Sequence, residues 1–314
     1  SRVIKPLNQF GVKITSNKDK LPIKIRGTKY LRPIKYEELK GSAQVKTCIM
    51  LAALNTPGVT KIKCVPSRDH TERMFKHLKL KLKINKNGKY QMLNIEGCKQ
   101  YGSLNYNIPG DISSASFFIV LTLLSKNSKL VIKNINVNKS RTGIIDILKK
   151  MNGKIVVKNN RKYKGEDIAD IYVKSTPNLK SINCPKEMNS RAIDELPLIF
   201  LVSSKAKGIS YFKNIGELKH KESNRLKLSS QFLKMLGVKV KSTSNSLKIS
   251  GIPNLETRKN FTIKNFMKDH RIFMLACVAS LVLGGSWKIH DKDSINTSFP
   301  EFLKILKKLG ANFK

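Results

Sequence analysis

The sequence predicts an α/β protein assembled from a repeated unit, and three observations carry that prediction. An apolar helix, a Gly-led strand, an amphipathic helix closing near Leu-Gly and a further strand recur about every 70 to 80 residues, the signature of a repeat architecture. The apolar runs stop after about a dozen residues, short of the roughly 18 that span a bilayer, so they read as helices buried inside a domain. At 314 residues with 40% hydrophobic positions, the chain can bury a large core, and its length suggests about two domains.

The apolar helices fall, in order, at 42–54 (SAQVKTCIMLAAL), 113–124 (SSASFFIVLTLL), 195–204 (ELPLIFLVSS) and 270–283 (HRIFMLACVASLVL). Most run through Gly or Lys into a short strand, as at 208–212. The second helix of each copy closes at Phe10-Gly11, Leu80 to Leu82, Met151 to Gly153, Leu236-Gly237 or Leu309-Gly310, and leads into a strand such as 237–241 (GVKVK). Five partial copies are visible. The chain opens on Ser1-Arg2-Val3, directly inside what reads as an amphipathic helix, with no initiator Met, signal or transit segment, so an N-terminally incomplete chain is expected.

Composition narrows the function classes. The five cysteines (Cys48, Cys64, Cys98, Cys184, Cys277) are odd in number and never form C-x-x-C, which argues against a disulfide framework or a zinc site and fits a reducing cytoplasm. Cys48 and Cys277 lie in apolar helices and read as small buried hydrophobes. His70 and His77, seven apart, have no acidic partner at ligand spacing, so no metal is expected. A formal charge of +40 raises the question of a polyanion partner, but Lys is spread over every segment without interleaved aromatics, which favours a solvated surface over a nucleic-acid face.

The rarer charged residues are more telling. Only 11 of the 61 basic residues are Arg, and a guanidinium offers a planar fork to carboxylate or phosphate where an ammonium is a point charge. Four of them sit with acids or hydroxyls at repeat junctions: Arg68 and Arg73 in SRDHTER (67–73), Arg225 in KESNR (221–225), and Arg271 in DHR (269–271). Each cluster lies just before or at the start of an expected helix, where free N–H groups and the helix dipole favour anions. Packing of the repeats would gather such junctions into an anion-binding cleft. The plainer reading makes Ser, Thr and Asp N-caps, and pairs Glu72 or Glu222 with a nearby Arg at the surface.

Two junctions lack Arg. In Gly41-Ser42-Ala43-Gln44, a hydroxyl and backbone amides open an apolar helix, a geometry that suits either a phosphate or a plain Ser cap. Gln44 either faces solvent or reaches a ligand. Asp194-Glu195 heads the third apolar helix, where capping is the default; a carboxylate facing the Arg and Lys of other junctions would instead be held ionised and could accept a proton from a substrate hydroxyl. Gly110 to Ala115 (GDISSA) lacks the Lys and Gly spacing of a phosphate loop and reads as a hinge and cap.

The motifs LPIKIRG (21–27), SAQVKTCIMLAALNTPG (42–58), SRDHTERM (67–74), GDISSASFFIVLTLL (110–124), IDELPLIF (193–200), ELKHKESNRL (217–226), DHRIFMLA (269–276) and NTSFPEFL (296–303) resemble, in this order and nearly end to end, the 5-enolpyruvylshikimate-3-phosphate (EPSP) synthases. The SAQ and SRDHTE forms are similar to the glyphosate-tolerant class of that family. The resemblance implies a two-domain enolpyruvyl transferase fold of repeated βαβαββ units, an inside-out α/β barrel with its N-terminal part missing. Residues 1–108 would be most of the middle domain and 109–314 the bulk of the other.

The implied reaction moves the enolpyruvyl group of phosphoenolpyruvate onto the 5-hydroxyl of 3-phosphoshikimate through a tetrahedral ketal, a step toward chorismate and the aromatic amino acids, with neither metal nor organic cofactor. By position, Ser42, Ala43, Gln44 and Arg68 match contacts to 3-phosphoshikimate, with Gln44 also near phosphoenolpyruvate. Asp194 matches the general base for the 5-hydroxyl. Lys221 matches a shikimate-hydroxyl ligand and proton shuttle, and Glu222 the acid/base near the phosphoenolpyruvate methylene. Arg225 and Arg271 match phosphoenolpyruvate clamps, with His270 in support.

Thr297 stands where plant-like members have a phosphoenolpyruvate-binding Lys, and Glu217 where some have an Asn on the sugar. The family's first segment, with further substrate-binding residues, would precede Ser1; the 314-residue chain alone is therefore expected to be inactive or poorly folded. A cytoplasmic monomer with no nucleic-acid or membrane partner is expected. The rivals are a UDP-N-acetylglucosamine enolpyruvyl transferase, whose reactive loop Cys has no counterpart here, and a basic RNA-binding or RNA-end-modifying protein of related fold, which leaves the SAQ, KES and DHR clusters without a role.

Overall fold

The computed structural model describes residues 2–18, 20–98 and 100–313, which divide into two compact units. The first holds residues 1–108 with 162–166, and the second holds 109–161 and 167–314.

In the first unit, helix α1 (Ile4–Gln9) precedes a hairpin of β1 (Lys13–Asn17) and β2 (Lys20–Arg26). A full copy follows: β3 (Lys35–Glu38), α2 (Ala43–Leu54), β4 (Val59–Cys64), α3 (His70–His77), β5 (Leu82–Asn87) and β6 (Tyr90–Glu96). Its sheet order is β3-β4-β6-β5, with β3 parallel to β4 and the other pairs antiparallel.

The second unit contains α4 (Ile112–Leu124), β7 (Lys129–Asn136), α5 (Gly143–Lys150) and, apart from their ends within 162–166, β8 (Ile155–Tyr163) and β9 (Glu166–Lys174); a parallel bridge from Gly110 to Ile135 stands in for the copy's first strand. Next come β10 (Asn183–Cys184), α6 (Lys186–Arg191), α7 (Leu196–Ser204), β11 (Ile209–Lys213), α8 (Arg225–Met235), β12 (Val240–Ser242) and β13 (Ser246–Ser250). Their sheet, β10-β11-β13-β12, repeats the pairing directions of the first unit strand for strand. The chain continues through β14 (Asn260–Ile263), α9 (His270–Leu283), β15 (Ser286–Ile289), parallel to β14, and α10 (Phe302–Lys308).

Alternation in strands such as β4 and β11 shows which side turns inward. In β4 (VTKIKC), alternate residues are buried while Val59 and Lys61 face solvent, the pattern of a sheet covered on one side only. The apolar helices lie on the covered side: every residue of α7 is buried, as are ten of the thirteen in α4. Helices are thus inside and sheets outside, in line with the inside-out arrangement expected. Two hydrophobic clusters result, one around Phe10, Ile49, Ile62 and Leu93, the other around Phe117, Ile147, Phe200, Phe212 and Phe273.

The helix ends account for the recurring Leu-Gly signal. Gly11, Gly237 and Gly310 follow α1, α8 and α10 with φ of 102°, 81° and 96°, the left-handed position that closes a helix without a Cβ penalty. Where no Gly stands there, Lys79 and Asn152 take up the same conformation after α3 and α5. The expected strand at 237–241 accordingly starts later, at Val240, because Gly237 belongs to the turn, and that at 208–212 begins one residue later. A second shared joint closes the two complete copies. Gly97 donates to Gly58 O (3.1 Å) and Cys98 to Leu54 O (2.8 Å), while Gly251 donates to Gly208 O (2.9 Å) and Ile252 to Ser204 O (2.7 Å). Cys277 is buried as expected; Cys48 is only partly so.

Candidate functional site

The predicted residues fall into two groups, each inside its own unit. In the first unit, Ser42 caps α2, its Oγ accepting from Val45 N at 3.4 Å, so the cap reading of that hydroxyl is correct. Gln44 is exposed on the first turn. The turn before α2 is held by Glu38, a buried carboxylate whose two oxygens accept from Lys40 N (3.2 Å) and Ser42 N (2.9 Å). Sequence reasoning missed Glu38, which reads as an ordinary strand-end acid.

Arg68 is half-buried in the loop before α3, and its carbonyl accepts from Lys46 Nζ at 3.0 Å. The expected surface pairing of Glu72 with a neighbouring Arg is not what forms. Glu72 and Lys46 are both buried and pair at 2.5 Å, because α2 and α3 bring them face to face away from water. Arg73 turns instead to Asp69 (Nε to Oδ2, 2.9 Å), and His70 Nδ1 meets Glu166 Oε1 at 2.6 Å.

In the second unit, the starts of three helices converge. Asp194 precedes α7, Lys221 and Glu222 precede α8, Arg225 opens α8, and His270 and Arg271 open α9. Lys221 Nζ lies 3.3 Å from Asp194 Oδ1, and Arg225 Nη1 lies 3.6 Å from the same oxygen. Arg271 Nη1 donates to the Asp194 carbonyl at 3.2 Å. Three of the residues singled out from sequence therefore meet around a fourth, Asp194.

Glu195 stands at the N-cap position of α7 but makes no side-chain cap. Glu195 is buried, accepts from the Ser113 hydroxyl of α4, and lies 3.8 Å from Arg271 Nη1. Burial pushes its carboxyl above the usual range, an effect that Arg271 and Ser113 only partly offset. Arg141 extends the chain of contacts, with Nη2 donating to Ser113 Oγ (2.7 Å) and to Asp111 Oδ1 (3.0 Å). Asp111 itself caps α4 through Ser114 N, as the cap reading of that loop required. Ser113 and Arg141 were missed because their roles depend on contacts 82 and 28 residues away in sequence.

Arg225 is almost wholly buried and its fork is occupied from within: Nε and Nη2 donate to Asp269, and Nη2 also to Glu222 at 2.5 Å. Only Nη1 remains turned toward Asp194. Glu222 is exposed. Lys221 also pairs with Glu217 (2.8 Å), and Thr297 donates to Ser294 O (2.9 Å), so the two positions that depart from the family pattern are engaged locally. Burial, followed by the charge of Arg271, lowers the His270 pKa, leaving a neutral imidazole beside the guanidinium near neutral pH.

Such a constellation can bind a small anion, hold a hydroxyl and move a proton. Asp194 offers a carboxylate oxygen beside two cations, and Glu222 offers a second carboxylate at the surface. No helix among the described residues is long and apolar enough to cross a membrane.

A family model described as EPSP synthase (3-phosphoshikimate 1-carboxyvinyltransferase) matches residues 1–306. The chain is 40% identical over 312 residues to the 3-phosphoshikimate 1-carboxyvinyltransferase of Ruthia magnifica subsp. Calyptogena magnifica, covering 99% of this chain and 70% of that protein. It is 37% identical over 318 residues to that of Zymomonas mobilis subsp. mobilis, covering 100% and 70%. Among solved structures, an EPSP synthase from Acinetobacter baumannii superposes with a TM-score of 0.85 at 33% identity, over 98% of this chain and 69% of that one. The enolpyruvyl transferase NikO from Streptomyces tendae superposes with 0.75 at 14% identity, over 99% and 71%, a likeness of fold alone.

Proposed function

This chain belongs to the EPSP synthase family, and from that premise we propose that it transfers the enolpyruvyl group of phosphoenolpyruvate to the 5-hydroxyl of 3-phosphoshikimate, releasing inorganic phosphate. The observation that supports the assignment of roles is the meeting of Lys221, Arg225 and Arg271 on Asp194.

Asp194 takes the proton of the 5-hydroxyl as its oxygen bonds to the central carbon of phosphoenolpyruvate, and Lys221 holds that hydroxyl in place. Glu222 delivers a proton to the methylene carbon, giving the tetrahedral ketal. Return of a methyl proton and departure of phosphate then restore the double bond. Arg271 and Nη1 of Arg225 neutralise the donor, where fixed charges screened from water stabilise developing charge far better than solvent does. Ser42, Ala43, Gln44 and Arg68 supply contacts to 3-phosphoshikimate. The five free cysteines fit a reducing compartment, and we place the protein in the cytoplasm as a monomer.

The test is phosphate release by the protein purified as its own coding sequence specifies it. Release that requires both phosphoenolpyruvate and 3-phosphoshikimate supports the proposal. Release with UDP-N-acetylglucosamine as acceptor, or none with either acceptor, overturns it.

A further inference from the structure

Lys46 is the only charged residue on α2, and it is completely buried. An ammonium in such a place loses its hydration, and a buried pair is often no more stabilising than two apolar side chains of similar volume. Stability therefore gives little reason for a lysine there, and its contacts suggest another. Nζ pairs with Glu72 Oε1 at 2.5 Å and donates to the Arg68 carbonyl at 3.0 Å. Lys46 lies one helical turn beyond Ser42, so its ammonium extends from the same end of α2 that carries Ser42, Ala43 and Gln44. Glu72 lies four residues beyond Arg68, on the first turn of α3.

One ion pair thus fastens the loop bearing Arg68 to the helix start bearing Gln44. A second fastening lies beside it, where the Thr47 and Thr71 hydroxyls meet at 2.5 Å. On the other side, Glu38 grips the Ser42 amide. The first turn of α2 is therefore clamped from both flanks, and Arg68 is tied to it through its backbone carbonyl.

We propose that Lys46 and Glu72 are positioning residues which set the spacing between the first turn of α2 and Arg68, and thereby the affinity for the phosphorylated acceptor. This rests on the reading above, in which those groups contact 3-phosphoshikimate. Residues that hold binding groups without touching the ligand act through geometry, and small misplacements of such groups weaken binding.

The test replaces the pair by apolar residues of similar size, Lys46→Met with Glu72→Leu, which leaves no buried charge unpaired. Thermal melting establishes that the double variant is folded. The expected result is a KM for 3-phosphoshikimate raised about tenfold or more, with kcat within about threefold of the parent and, since Gln44 also neighbours phosphoenolpyruvate, a clearly smaller rise in the KM for that substrate. A folded double variant with an unchanged KM for 3-phosphoshikimate overturns the proposal, as does an equal rise for both substrates, which marks a general loosening.

If the double variant does not fold, Glu72→Gln, which keeps the side-chain shape and an acceptor for the ammonium, takes its place with a smaller rise expected and the same two overturning results. Absence of turnover in the parent protein defeats the functional reading instead. The positioning role is then judged from a crystal structure of the folded variant: displacement of the Arg68 backbone relative to α2 supports it, and an unmoved Arg68 overturns it.

Discussion

Asp269 holds Arg225 by two hydrogen bonds, Nε to Oδ2 at 2.9 Å and Nη2 to Oδ1 at 3.2 Å, with both side chains shut away from water. The same carboxylate accepts from Ser223 Oγ (2.7 Å) and from the Arg271 amide (3.0 Å), so it fixes one guanidinium and the helix start that carries another. Removing it takes the Nε partner from a buried cation, which keeps only Glu222 on Nη2 and the more distant Asp194 on Nη1. Asp269→Ala is expected to lower the unfolding free energy by about 3–5 kcal/mol, measured by urea denaturation. A loss below about 1 kcal/mol would mean that Glu222 and Asp194 suffice to hold the buried Arg225.

The acid stability of the protein follows from the same group. Burial alone would raise the Asp269 pKa, but hydrogen bonds and charge from Arg225, with help from Ser223 and the Arg271 amide, outweigh it and leave it lowered. A lowered carboxyl contributes stability that is complete above the ordinary value near pH 4 and is lost as pH falls through the folded value. Asp269→Asn should therefore show a shallower acid limb in a plot of melting temperature against pH. Parallel acid limbs for variant and parent would contradict this.

Glu195 behaves in the opposite sense. Its pKa is raised, chiefly by burial, so its contribution is fully present below the ordinary value of about 4.3 and is lost as pH rises through the folded value. Glu195→Gln keeps the shape and cannot ionise. Its stability relative to the parent should grow between pH 4 and pH 8, and denaturation curves at the two ends of that range check the trend.

For the reaction itself, Asp194→Ala should reduce kcat by about 10²-fold or more if this carboxylate accepts the hydroxyl proton. Single-turnover assays with both substrates read this directly. Near-normal turnover would take Asp194 out of that role and leave it as a counter-ion to Lys221 and Arg225.

Much of this was legible in the sequence because the repeat writes its own punctuation. The helix of 270–283 has the bounds its apolar run suggested, and the Leu-Gly ends mark left-handed residues at Gly11, Gly237 and Gly310. Local patterns of this kind depend on neighbours within a few positions. The polar interior was harder to read. Lys46 sits in a helix that is otherwise uncharged, and only the packing of α3 supplies its partner Glu72. Glu195 looked like half of a capping pair, yet its partners Ser113 and Arg271 come from α4 and α9. Spacing could announce that Arg and acids gather at junctions; it could not say which acid each Arg would take, and Arg225 took three.

The joint shared by the two complete copies leaves no room for a side chain. A methyl group on Gly97 would lie 1.9 Å from the Thr56 carbonyl oxygen, and one on Gly251 1.9 Å from that of Ala206, whereas Gly27 and Gly102 open onto empty space. In a saturation mutagenesis library selected for folded protein, Gly97 and Gly251 should therefore emerge as twin blank columns, each rejecting even alanine. The other two glycines should fill with variants, so that tolerance alone would mark where each copy's last strand docks on its apolar helix.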